Sequence, residues 1–170
     1  MLIPTFARSA LLLSSRPTLL PLRAVSTLTS PDLYSFFSPD GEEDCGKMTV
    51  IDVRPESEIR DVGGFNAGRA ITDYLGLAAR STAEDNVKYV PLNDVLSESW
   101  LSLSPTEFED EYDFEHPLHA ADAGERRYVF SCKAGIRSAA AAGAAERQGV
   151  PNCHNYLDGA VGWDYFMAGK

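Results

Sequence analysis

The strongest constraint on the fold is a five-residue run, Arg127–Ser131, that stands directly before a short glycine-containing loop and an alanine-rich segment. The run is rich in aromatic and β-branched residues, which favour strands. The segment Ser138–Gln148 is rich in alanine, the best helix former, and Gly149 is suited to end that helix. A strand, a tight loop and a helix in this order are typical of a βαβ unit, so the C-terminal third predicts a parallel sheet.

Segments of the same two kinds occur along the rest of the chain. A helix is predicted to start at Ser30, because serine is a good N-cap and Pro31 fits the first helical turn. The alternation predicts one α/β domain over residues 30–170, with a central, mostly parallel sheet and helices on both faces. The other predicted strands are Met48–Val53, Val87–Leu92 and Asn152–Leu157, and the other predicted helices are Ser104–Tyr112 and Gly162–Met167.

The N-terminal segment, residues 1–29, has a different composition. It contains Arg8, Arg16 and Arg23, many leucines, serines and threonines, and no acidic residue. An Arg- and Ser-rich segment without acids is typical of an organelle transit peptide, and a plain disordered tail is the alternative. We therefore predict a disordered leader and a mitochondrial protein, in the matrix, with the plastid as the alternative destination.

The charge balance limits the partners of the chain. The whole sequence has 15 basic and 25 acidic residues, and three of the basic ones lie in the leader. The remaining domain is strongly acidic, so it is predicted not to bind nucleic acid. No apolar run approaches the roughly 20 residues of a membrane-spanning helix, so no membrane association is predicted.

The three cysteines do not form a recognisable structural pattern. Cys45, Cys132 and Cys153 are odd in number and irregularly spaced, and no C-x-x-C pair occurs. This spacing fits neither a disulfide framework nor a zinc motif, so we expect free thiols and no bound metal.

The loop after the predicted strand Arg127–Ser131 carries the chemistry. Cys132 comes first, with Gly135 three residues later and Arg137 five residues later, directly before the helix. In such a loop the backbone amides can point inward and, with the positive end of the helix, form an anion site. The same field lowers the pKa of a cysteine, which predicts that Cys132 is a reactive thiolate rather than a buried structural cysteine.

The rest of the loop is predicted to bind the substrate. Lys133 adds positive charge, and Arg137 can bind an oxyanion through two hydrogen bonds. The predicted substrate-binding residues are Lys133, Ala134, Gly135, Ile136, Arg137 and Ser138.

The segment Cys132–Ser138 resembles the C-x-x-G-x-R-[ST] active-site loop of the rhodanese-domain sulfurtransferases. Val50–Arg54 is similar to the "DVR" strand of that family, and Tyr89–Val95 to its "IPL" segment. Asn155–Trp163 is similar to its C-terminal "N-x-x-G-G-x-x-x-W" segment. The likeness runs from Ser30 to Met167, and the short helix predicted at Ser104–Tyr112 is similar to that of single-domain thiosulfate sulfurtransferases that use glutathione as acceptor.

This resemblance implies a sulfurtransferase that needs no metal or organic cofactor. The Cys132 thiolate would take a sulfur atom from thiosulfate or a persulfide. It would pass that atom to an acceptor thiol, glutathione or a thioredoxin-like protein, or to cyanide. Asp52 and Arg54 would anchor the first strand near the site, and Trp163 would pack in the core.

Two other functions stay open at this point. A persulfide carrier or a non-catalytic binding module would use the same fold. A phosphatase or arsenate reductase would also use a loop cysteine, but those enzymes have five residues between Cys and Arg. Four residues separate Cys132 from Arg137, and the smaller ring favours a sulfur atom over a phosphate.

Some segments depart from the family or have no assigned role. Gly64–Ala70 lacks the His and Pro of the family's G-H-I-P-G-A segment, and the insertion Thr72–Lys88 follows, so substrate preference is open. Cys45 is interpreted as an incidental loop cysteine, the alternative being a thiol that resolves or protects a persulfide. Cys153 is expected in the core, and the acidic run Glu107–Glu115 on a solvated face. His116 and His119 receive no catalytic role.

Overall fold

The computed structural model describes residues 25–37, 47–62 and 87–169. In these residues, strands and α-helices alternate along the chain. The elements are β1 Ser26–Leu28, α1 Ser30–Phe37, β2 Met48–Asp52, α2 Glu56–Val62, β3 Val87–Tyr89, α3 Leu92–Leu96, a 3-10 helix Ser99–Ser102, α4 Pro105–Tyr112, β4 Arg127–Ser131, α5 Ile136–Arg147, β5 Cys153–Tyr156 and α6 Gly159–Ala168.

The five described strands form one sheet in the order β1-β5-β4-β2-β3, and every pair is parallel. The central strand β4 places Phe130 beside Ile51 of β2 and Asn155 of β5. Because all strands run in one direction, their carboxyl ends share one edge of the sheet. At that edge Ser131 lies opposite Asp52, so the loop after β4 opens next to the end of β2.

The core has two parts, one on each face of the sheet. On one face Phe130 packs in a cluster with Trp100, Phe108 and the alanines of α5. On the other face Val129 packs with Leu33 of α1 and Trp163 of α6. A sheet covered on both faces explains why β2 and β4 are almost continuously buried. The predicted α/β fold with helices on both faces is confirmed, and so is the core position of Trp163.

Several element boundaries differ from the prediction. The helix α5 begins at Ile136, two residues before the predicted start, which shortens the loop after β4. The helix α6 begins at Gly159 rather than Gly162. The predicted strand Val87–Leu92 ends at Tyr89, and Pro91 precedes α3 instead, since proline cannot donate into a sheet but tolerates a helix start.

The start of α1 is capped one residue earlier than predicted. The backbone amide and the hydroxyl of Thr29 donate to the carboxylate of Asp32 at 2.8 and 2.6 Å. Thr29, rather than Ser30, therefore holds the position just before the helix. Ser30 has another contact, since its amide and its hydroxyl donate to Asp158 at 2.6 and 2.7 Å. These bonds tie the first turn of α1 to the start of α6.

The end of the predicted leader belongs to the fold. Ser26–Leu28 form β1, which pairs with β5, and the amide of Leu157 donates to the carbonyl of Leu28 at 2.9 Å. The prediction of disorder is wrong for these three residues, because the edge of β5 supplies a partner that composition does not reveal. Residues 1–24 lie outside the described residues, so the transit peptide stays a prediction. Cys45, Gly64–Ala70 and residues 72–86 of the predicted insertion also lie outside them.

The helix α4 and its surroundings agree with the sequence. Ser104 and Glu107 form a reciprocal cap at the start of α4. The acidic side chains of Glu107–Glu115 are exposed, whereas Phe108 and Tyr112 are buried, which confirms a solvated acidic face. Within the described ranges, no helix combines the length and the apolar character that crossing a membrane requires.

Candidate active site

The loop that connects β4 to α5 holds Cys132 at the carboxyl edge of the sheet. Gly135 stands just before α5 with a φ of 77°, a conformation that residues with a Cβ rarely adopt. A Cβ built on Gly135 would lie 2.0 Å from the carbonyl oxygen of Leu157. Both the backbone angle and the contact therefore require glycine at this position, as the sequence predicts.

The sulfur of Cys132 is buried but surrounded by hydrogen-bond donors. The residue is 1% exposed, and the hydroxyl of Ser138 donates to the sulfur at 3.4 Å. The backbone amides of Ala134, Arg137 and Ser138 also donate to it. Burial by itself raises the pKa of Cys132, but these four hydrogen bonds together bring the pKa below its ordinary value. These donors favour the thiolate of Cys132, whose catalytic role stays a prediction.

The loop carbonyls point away from the sulfur, towards α6. The amide of Ala160 donates to the carbonyl of Cys132 at 2.8 Å, and the amide of Val161 to that of Lys133 at 3.1 Å. Gly159 makes this approach possible, since a Cβ there would lie 2.6 Å from the backbone of Lys133 and Ala134. By binding the carbonyls, the first turn of α6 orients the loop amides towards Cys132.

The side chain of Arg137 binds a carboxylate of this chain. Its Nη2 donates to both oxygens of Glu58, at 3.0 and 2.9 Å. Sequence reasoning predicted that Arg137 binds the oxyanion of a substrate, and it did not find Glu58. In the structure the guanidinium of Arg137 forms an ion pair with Glu58 of α2, whereas the backbone amide of Arg137 donates to the sulfur of Cys132.

Asp52 and Arg54 form a buried ion pair at the end of β2. The Nε of Arg54 lies 2.9 Å and its Nη2 lies 2.8 Å from Oδ2 of Asp52, and both residues are nearly inaccessible to solvent. The amide of Arg54 also donates to Oδ1 of Asp52, at 3.1 Å. Burial lowers the pKa of Arg54, but the bonds and charge of Asp52, with the charge of Glu58, raise it overall. The pair fixes the turn after β2 beside the loop.

The other loop residues line the surface around the site. Lys133 and Ala134 are exposed, and Ile136 is 81% exposed. Ala134 also borders a groove of about 530 Å³, whose other walls include Pro31, Val161 and Tyr165. Tyr165 is 86% exposed, so the surface beside the loop is largely apolar.

The remaining candidate groups do not join the site. Cys153 is buried, as predicted, and burial raises its pKa to about 12. His116 is buried against Phe108, and its ring lies 4.7 Å from that of His119. Burial lowers the pKa of His116, and its Nδ1 accepts from the amide of Leu118 at 3.2 Å, which is a structural arrangement. In the part of the chain that the structure describes, no group of three side chains is arranged to hold a metal.

Several solved structures have a fold similar to that of this chain. A human single-domain sulfurtransferase, TSTD1, is 21% identical, with 83% of this chain and 96% of that chain covered and a TM-score of 0.55. The single-domain sulfurtransferase RDL2 of Saccharomyces cerevisiae is 17% identical, with coverages of 88% and 97% and a TM-score of 0.55. A protein of unknown function from Rhodopseudomonas palustris, described as a possible tyrosine phosphatase, is 20% identical, with coverages of 84% and 81% and a TM-score of 0.52.

These likenesses concern the fold, since each identity is below 25%. No curated protein sequence matches the chain. The model of the rhodanese-like domain, however, matches residues 40–165, which is most of the chain. The matched region contains β2, β4, the Cys132 loop and most of α6. With the parallel sheet and the loop geometry, this match shows that the chain belongs to the rhodanese-like domain family.

Proposed function

We propose that this protein is a sulfurtransferase that carries sulfur as a persulfide on Cys132. The observation that carries the proposal is the set of four donors aimed at the sulfur, one hydroxyl and three amides. Donors that hold a thiolate also hold the negative charge of a persulfide formed on the same residue. The small ring of the loop suits a sulfur atom, as the spacing between Cys132 and Arg137 predicts.

The reaction has two steps. The Cys132 thiolate attacks the outer sulfur of the donor, the bond between the two donor sulfurs breaks, and the inner part leaves with the electron pair. With thiosulfate the leaving group is sulfite, and with an organic persulfide it is a thiolate. In the second step an acceptor thiolate or cyanide attacks the outer sulfur of the Cys132 persulfide and restores the thiolate. Both steps are nucleophilic displacements at sulfur, so no metal or organic cofactor takes part.

The surface beside the loop favours an acceptor with an organic body. Glutathione is our first candidate, a thioredoxin-like protein is the second, and cyanide serves as an assay acceptor. The groove bordered by Ala134, Val161 and Tyr165 offers apolar contact next to the loop. Lys133 is exposed on the loop, next to Ala134 in the sequence, and can attract a carboxylate of the acceptor.

The test uses the full chain with thiosulfate as donor and cyanide or glutathione as acceptor. Wild-type protein should form thiocyanate or glutathione persulfide with turnover, and Cys132→Ser should not. Intact mass after treatment with donor alone should show one added sulfur atom, located on Cys132. Persulfide formation without turnover would indicate a carrier instead, and hydrolysis of p-nitrophenyl phosphate without persulfide formation would indicate a phosphatase.

A further inference from the structure

The cations near the Cys132 loop differ in whether an acid already binds them. Arg137 holds both oxygens of Glu58, and Arg54 holds Asp52 at 2.8 Å. The charge of Glu58 also acts on Arg54, so these four groups form one network with two positive and two negative charges. The positive charge of each guanidinium group is therefore balanced by a carboxylate before a substrate reaches the loop.

Lys133 is in a different situation. Its side chain is exposed on the loop, and no carboxylate among the side chains described for residues 25–37, 47–59 and 87–169 forms an ion pair with it. The neighbouring loop side chains, Ala134 and Ile136, are apolar and exposed. An anion that approaches this side of the loop meets the ammonium group of Lys133, which has no ion-pair partner among those described side chains, on a protein with a net charge of −10.

These charges bear on the choice of sulfur donor. Thiosulfate is a small dianion, and its oxygens are best bound by an arginine fork. An organic persulfide has at most one charge on its two sulfurs and brings a carbon body that can use the apolar groove beside Ala134. We propose, on the basis of the proposed sulfurtransferase function, that Glu58 is a specificity-determining residue that withholds Arg137 from the donor and so favours organic persulfides over thiosulfate.

The favoured step is a displacement at the outer sulfur of the persulfide donor. The Cys132 thiolate attacks the outer sulfur of a persulfide R–S–SH, the S–S bond of the donor breaks, and R–S⁻ leaves with the bonding pair. Cys132 becomes Cys–S–SH, which loses its proton to solvent and is held as an anion by the loop amides. No oxidant or reductant is consumed, because the outer sulfur passes from one thiol to another.

Three variants test this proposal with thiosulfate and glutathione hydropersulfide as the two donors. Glu58→Gln should free Arg137, so the KM for thiosulfate should fall roughly tenfold, the value of a charge-assisted fork, while kcat/KM for the persulfide changes little. The charge-balanced double variant Glu58→Gln with Arg137→Gln should keep a thiosulfate KM within about twofold of wild type. Lys133→Met should raise that KM roughly fivefold.

The opposite pattern would overturn the proposal. If Arg137 binds the donor in the wild-type protein, the double variant raises the thiosulfate KM tenfold or more. If Glu58 has no influence on donor choice, the single variant leaves the ratio of the two donors unchanged. Glu109→Gln, which removes one charge from the exposed face of α4, is the matched control and should leave both donors unaffected.

The outcome also separates this proposal from the broader one. If neither donor places a sulfur atom on Cys132, the sulfurtransferase function itself fails. If Cys132 becomes persulfidated but wild-type protein prefers thiosulfate and the double variant loses that preference, only the role of Glu58 fails. Thermal unfolding of each variant shows whether a change in KM reflects a damaged fold, and the exposed Lys133→Met variant remains informative if either Glu58 variant is unstable.

Discussion

Two buried cysteines, one directly after β4 and one at the start of the adjacent strand β5, lie in opposite environments. Cys132 follows β4 and is 1% exposed, and Cys153 begins β5 and is 7% exposed. The pKa of Cys132 lies below its ordinary value, whereas burial and then the charge of Glu146 raise the pKa of Cys153 to about 12. Burial alone therefore does not determine the reactivity of a thiol. Hydrogen-bond donors outweigh burial at Cys132, whereas burial and the charge of Glu146 act in the same direction at Cys153.

The helix α5 supplies both environments, one at each end. Its first turn gives the amides of Arg137 and Ser138 to Cys132, at the positive end of the helix. Beyond its last turn, the sulfur of Cys153 donates to the carbonyl of Val150 at 3.4 Å. Donors in the first turn of α5 favour a thiolate at Cys132, whereas the Val150 carbonyl after the helix and the charge of Glu146 in its last turn favour a thiol at Cys153.

The largest effect should come from removing one sulfur or the other. Cys132→Ser should lower the rate of sulfur transfer by at least about 10³-fold, because hydroxyl oxygen does not form the persulfide. Cys153→Ala, the matched control, should keep the rate within about twofold, while losing some stability in the core. Thiocyanate formation from thiosulfate and cyanide measures the rate. An equal loss of the transfer rate in both variants would contradict the assignment of Cys132 as the reactive cysteine and of Cys153 as a core residue.

The next effect concerns the shape of the loop. Gly135→Ala should lower the rate by about 10²-fold, because its Cβ would meet the Leu157 carbonyl and the loop amides would turn from the sulfur. Gly124→Ala is the control, since a Cβ at that position meets nothing within 4 Å. Rates with saturating thiosulfate compare the two variants. Full activity in Gly135→Ala would show that the loop geometry is not required.

The features that the sequence predicts correctly are those whose determining residues lie close together in the chain. The strand β4, the position of Cys132, the need for Gly135 and the helix α5 all follow from residues close together in the chain. The helix Ser104–Tyr112 is predicted as well, and the cap that Ser104 and Glu107 form at its start is likewise a local feature. Parallel pairing followed from the alternation of strands and helices, without any knowledge of register.

Contacts between distant segments could not be predicted. Glu58 and Arg137 are 79 residues apart, so nothing near Arg137 signals that its guanidinium has an internal partner. The short strand β1 depends on the free edge of β5, and its three residues have the composition of the leader. The amides of Ala160 and Val161, which orient the loop, have no side-chain signal at all. In each case the partner is fixed by tertiary structure.

A smaller effect should come from Ser138, whose hydroxyl donates to the sulfur of Cys132. Ser138→Ala removes a single hydrogen bond to the Cys132 thiolate and leaves the three amides, so the rate at neutral pH should fall roughly tenfold. Ser102→Ala removes an exposed hydroxyl that bonds only within its own turn, and it should have no effect. Rates at neutral and at alkaline pH distinguish a raised pKa of Cys132 from a loss of activity that does not depend on thiolate formation. Recovery of Ser138→Ala at alkaline pH would confirm a raised pKa, and equal loss at both would contradict it.

The most direct measurement is the pH dependence of alkylation at each cysteine, read by peptide mass after iodoacetamide treatment of the native protein. Only the thiolate reacts, so a lowered pKa moves the midpoint of the rate profile to lower pH. We predict that Cys132 reacts with a midpoint below that of a free thiol, about 8.5. Cys153 should resist modification until pH approaches about 12. A Cys132 midpoint at or above that of a free thiol would contradict the claim that the loop donors stabilise its thiolate.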